Sequence, residues 1–86
     1  MTTKADTAAA AAKCDAAYKA FRRAIRDTVA AGDLEGMAIE VGQSKSKLKK
    51  LELATLAAEA REVIAEKAYN DALAAYNRAM ADEVAT

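Results

Sequence analysis

The chain has no proline, no histidine and no tryptophan, and it has one cysteine and three glycines in 86 residues. Without histidine, the usual general base and the commonest metal ligand are both missing. The lone Cys14 excludes an intramolecular disulfide. It reads as a small apolar residue on a helix face, with an intermolecular bridge as the other use open to it. No window approaches eighteen uncharged apolar residues, so no segment is predicted to span a membrane. The alanine run Ala8–Ala12 is flanked by Lys4, Asp6 and Lys13. It lacks the leucine-rich core of a signal peptide, which leads to an expected cytoplasmic site of synthesis. Aromatic residues make up only 5% of the chain, and positive and negative charges balance at 13 each.

Alanine is what the chain has instead. It supplies 25 residues, more than half of the 53% counted as hydrophobic. Large apolar side chains are therefore scarce, and a thick core is excluded. Helix propensity is high nearly throughout. The sequence predicts a single all-α domain over residues 1–86, built as a long antiparallel helical hairpin.

The first helix is predicted over 3–31. Thr3 followed by Asp6 has the spacing of a capping box. Cys14, Tyr18, Phe21, Ile25 and Val29 fall at steps of three and four, which places them on one face. Ala31-Gly32-Asp33 then reads as the turn: Gly32 suits the left-handed position after a helix, and Asp33 suits the next N-cap. The second helix is predicted over 34–84. Its weakest stretch is 42–46, where a kink or a third helix could begin. A helix over 34–84 would be about 75 Å long and would overhang a first helix of about 42 Å. Its strongest stripe is Leu53, Leu56, Ala57, Ala60, Val63, Ile64 and Ala68, continuing through Ala72, Leu73, Tyr76, Ala79 and Met80. The mean step is near 3.7 residues, which favours near-straight or right-handed packing.

Charge falls in blocks: residues 1–32 carry +3, 33–44 carry −3, 45–50 carry +4 and 51–86 carry −4. With a turn at 32–33, a positive helix would lie beside a negative one and help to set pairing orientation.

No residue set supports catalysis. Glu59, Glu62 and Glu66 share a face, but bundle metal sites of that kind pair glutamates with a Glu-x-x-His that is absent. Ser44 and Ser46 lack a base, and there is no phosphate-binding glycine loop. The chain is expected to be a non-enzyme without cofactor or metal. A membrane-surface helix over 34–53 is interrupted by Asp33, Glu35 and Glu40. A helix-turn-helix reader would need a short recognition helix, and these helices read as too long.

Two binding surfaces remain. A thin alanine hairpin gains little from burial relative to its ordering cost, and association is the usual remedy. Candidate interface residues are Tyr18, Phe21, Ile25, Leu53, Leu56, Tyr69, Leu73, Tyr76 and Met80. Tyr69 and Tyr76 can reach the first helix only if the chain folds back near Gly42. The partner would be a second copy in a coiled-coil-like bundle, or a larger assembly such as a virion. The alternative is a nucleic-acid-associated regulator using Lys45, Lys47, Lys49 and Lys50 with Arg22, Arg23 and Arg26. A small protein inhibitor of a larger machine is a further reading.

Overall fold

The computed structural model describes residues 1–85. They form two helices, α1 (Lys4–Glu40) and α2 (Lys45–Ala85), which pack against each other as an antiparallel hairpin. The molecule is a rod with extents of 63 × 13 × 13 Å and a radius of gyration of 19.0 Å. A compact chain of this length would have a radius near 12 Å, about two thirds of that value.

α1 begins as the sequence predicts. Asp6 N–H donates to Thr3 Oγ1 at 3.1 Å, and Thr3 N–H donates to Asp6 Oδ2 at 3.0 Å, which completes the capping box.

The turn is not where the sequence places it. Gly32 and Asp33 lie inside α1, and the chain reverses at residues 41–44. Gly42 has φ +70°, the one positive-φ residue among those described. Gly42 N–H donates to Ile39 O at 3.1 Å, and Gln43 N–H donates to Ala38 O at 3.0 Å. This double closure around a left-handed glycine satisfies the last carbonyls of α1. Ser44 then opens α2: its Oγ accepts from Lys47 N–H at 3.3 Å, and its carbonyl accepts from Leu48 N–H at 2.9 Å. A turn at 32 would have left the end of α2 unpaired. A turn at 42 gives helices of 37 and 41 residues, and the overhang disappears.

The charge expectation changes with the turn. α1 carries six basic and six acidic residues and α2 carries seven of each, so neither helix has a net charge. The ion pairs Lys19–Asp15 (3.0 Å), Lys49–Glu52 (3.6 Å) and Lys67–Asp71 (2.8 Å) run within a helix and are exposed. Such pairs contribute little to holding helices together.

The seam repeats at intervals of seven residues. On α1 the covered positions are Thr7, Cys14, Phe21, Thr28 and Glu35, with Ala10, Ala17, Ala24, Ala31 and Ala38 beside them. On α2 they are Leu48, Thr55, Glu62, Tyr69, Tyr76 and Glu83, with Leu51, Ala58, Ala65, Ala72 and Ala79. Alanine at nearly every second seam position lets the two backbones approach closely. The buried residues are Ala24, Ala38 and Ala58 alone among those described. The predicted stripe through Leu53, Leu56, Ala57, Ala60, Val63 and Ile64 is not this seam. Those side chains are exposed, on the side of α2 away from the seam. The 3.7-residue stripe runs from this outer face onto the seam at Ala72, Leu73, Tyr76 and Ala79, and the buried face itself keeps a seven-residue step.

Candidate protein-interaction surface

The predicted interface residues separate into two groups. Phe21, Ile25, Tyr69, Leu73 and Tyr76 are half-buried within the hairpin. Because the chain folds back at Gly42, Tyr69 reaches α1. Its ring centroid lies 5.4 Å from Tyr18 at 56° and 6.0 Å from Phe21 at 23°. Arg22 covers the outer side of this cluster. Its guanidinium carbon is 5.8 Å from the Tyr18 ring centroid, and its Nη1 donates to the Tyr18 hydroxyl at 3.0 Å. Cys14 and Leu73 border the same shallow depression, with Tyr76 and Ala11. Cys14 is a half-buried free thiol there.

Leu53, Leu56, Tyr18 and Met80 form the second group and are exposed. The structure adds residues that sequence reasoning left out: Leu34, Met37, Ile39, Val41, Val63 and Ile64 are all more than half exposed, as is Val29. These side chains cluster toward the turn. They surround the part of the rod formed by residues 29–41 and 53–64. Their exposure could not be read from spacing, because Leu34, Met37 and Val41 also fit a helical stripe.

The inner side of this same region holds small or polar groups. Thr55 Oγ1 donates to Glu35 Oε2 at 2.8 Å across the seam. The same register places Thr28 level with Glu62, and Ala31 level with Ala58. Large apolar groups outside and small ones inside invert the usual arrangement of a helical protein. Leu34, Met37 and Val41 line one side of the rod and Ile39 lies on the other.

The four lysines of the turn are exposed at the start of α2. The helical rotation puts Lys45 and Lys49 on one side of the rod and Lys47 and Lys50 on the other. Arg22, Arg23 and Arg26 are exposed on α1, about 20–27 Å along the axis from its end. The two basic groups predicted to act together are therefore apart. Glu59 and Glu66 are exposed, Glu62 faces the seam, and no group of metal-ligating side chains gathers among the described residues. No described helix is long and apolar enough to cross a membrane. With helices of 37 and 41 residues, the short recognition helix of a helix-turn-helix is absent from the described residues.

At the open end, Thr2 N–H donates to Asp82 Oδ2 at 2.8 Å and ties the start of the chain to α2. The hydrogen bonds from Thr2 hold the Asp82 carboxyl below the ordinary value of 3.8. The Thr3 backbone N–H, followed by its side chain, does the same to Asp6. Hydrogen bonding and charge attraction from Asp71 raise Lys67 above 10.5.

No protein-family model, curated protein or solved structure matches the chain. The functional reading therefore stands on the geometry above.

Proposed function

We propose that this chain is a non-enzymatic assembly protein, a rigid helical rod whose turn half is a docking surface for protein. One observation carries the reading. The residues that would ordinarily make a core, among them Leu34, Met37, Ile39, Leu53, Leu56 and Ile64, are exposed around the turn half, while the buried residues are alanines. Burial at about 25 cal/mol per Å² gives alanine little return, so the isolated hairpin is marginal and gains stability when that surface is covered. Coiled-coil pairing with a copy of itself, incorporation into a virion or other large complex, and inhibition of a larger machine are all uses of this one surface.

Unfolding of the dilute chain tests the reading. The expected result is a low-temperature, weakly cooperative helix melt, with strong binding of an apolar-surface dye at the turn half. A dilute monomer that melts sharply above about 90 °C and binds no dye would contradict it.

A further inference from the structure

We infer that the occupant of the turn half is a second copy of this chain, laid antiparallel so that each tip rests on the other's acidic band. The inference rests on the proposed reading that protein covers this surface, and it names the partner. Two independent observations carry it.

The first is area. The chain exposes 6202 Å². A compact monomer of 9.1 kDa exposes about 4,900 Å². The surplus is about 1,300 Å² per chain, and a standard interface removes about 800 Å² from each partner. One dimer interface fits within that surplus, and the net charge of zero sets no overall repulsion against self-association.

The second is charge complementarity along the rod. The tip, residues 41–50, carries four lysines and no acid, with Val41 exposed among them. Directly behind it, residues 27–40 carry four acids and no base, and residues 51–62 carry three acids and one base. A band of net charge −6 thus follows a tip of +4. On one side of the rod Lys45 and Lys49 of the tip adjoin Glu35, Glu52 and Ile39 of the band. Helical rotation puts the exposed Leu56 and Glu59 on that same side. Each copy therefore offers a basic tip with apolar groups and an acidic band with apolar groups. A twofold axis through the turn half seats each tip on the partner's band, and the match is made twice. The overlap is about 25 Å long. A parallel pair would instead set tip on tip and band on band, which like charges oppose.

The test uses the full chain. Light scattering after size exclusion, over a concentration series, is expected to show a dimer whose dissociation constant rises with salt. Lys45→Glu with Lys49→Glu is expected to weaken that dimer about tenfold or more, as is Glu52→Lys with Glu59→Lys. Mixing the two variants is expected to restore pairing as a heterodimer. All four sites are exposed, and helicity read on the same samples shows that the variants fold.

A spin label at Lys19→Cys in a Cys14→Ser chain gives the orientation without altering the interface. The antiparallel overlap places the two labels about 50 Å apart, and a parallel pair places them within about 30 Å. A dimer indifferent to salt and charge reversal, or a short label distance, overturns the inference. So does a monomer at every concentration. A poorly helical monomer would leave the turn half to a different protein, and a cooperatively folded one would remove the proposed docking role as well.

Discussion

The two ends of the rod solve the problem of a thin hairpin differently. In the half away from the turn, Tyr69 packs against Tyr18 and Phe21 near the middle of the rod, Arg22 closes over the cluster, and Thr2 and Asp82 tie the helices together at the open end. At the turn end, the seam holds alanines, the half-buried Leu48 and Leu51 and the Thr55–Glu35 hydrogen bond, and most of the large apolar groups point outward. The half away from the turn puts its aromatic side chains into the fold, and the turn half leaves most of its large apolar side chains on the surface. On the proposed reading, the contrast assigns stability to one half of the molecule and recognition to the other.

The sharpest way to break this contrast is to remove its aromatic anchor. Tyr69→Ala takes away the ring that both Tyr18 and Phe21 meet, and is expected to cost about 2–4 kcal/mol. Denaturant unfolding followed by circular dichroism reads it. A cost under about 0.5 kcal/mol would remove the special role of the half away from the turn. The turn comes next. Gly42→Ala forces a side chain onto the left-handed backbone and is expected to cost about 1–2 kcal/mol.

Gly32→Ala and Gly36→Ala sharpen the comparison in the opposite direction. A Cβ at either position meets nothing within 4 Å, so each change is expected to stabilise the isolated hairpin by about 0.4–1 kcal/mol. Measured Tm values give the sign. Leu56→Ser and Ile64→Ser are expected to alter isolated-chain stability by no more than about 0.5 kcal/mol, while weakening association. A large loss of stability would mean that these groups are part of the fold.

The smallest effect is set by pH. Asp6 and Asp82 are held below the ordinary carboxylate range, so their contribution is present at neutral pH. It is lost as pH falls through their lowered values. Acid is expected to loosen the open end first, seen as lower amide protection factors at Thr2 and Thr3. In Asp6→Asn the acid response of Thr3 is expected to vanish.

Much of the fold could be read from the residues. Alanine content and spacing predict an all-helical hairpin, Thr3 and Asp6 mark its start, and Tyr69 meets α1 as a fold-back near Gly42 requires. The position of the turn could not be read, because Gly32-Asp33 and Gly42-Gln43-Ser44 are both good local signals. The choice between them is made by long-range register, since only the later turn brings alanine rows of matching length together. The buried face of α2 was hidden for a related reason. Alanine occurs on every side of the helix, so periodicity follows the large side chains, and between Leu53 and Ile64 those lie outside. The candidate surface was legible only in part. Leu53 and Leu56 enter as members of the helical stripe, whereas the exposure of Leu34, Met37 and Ile39 depends on a turn ten residues further along the chain.

The most direct test of the division between the two halves is residue-resolved hydrogen exchange as a function of chain concentration. Protection at residues 27–40 and 51–64 is expected to rise with concentration, while protection around Phe21 and Tyr69 changes little. Protection that is equal in both halves and independent of concentration would contradict the division of the rod into a stabilising end and a recognising end.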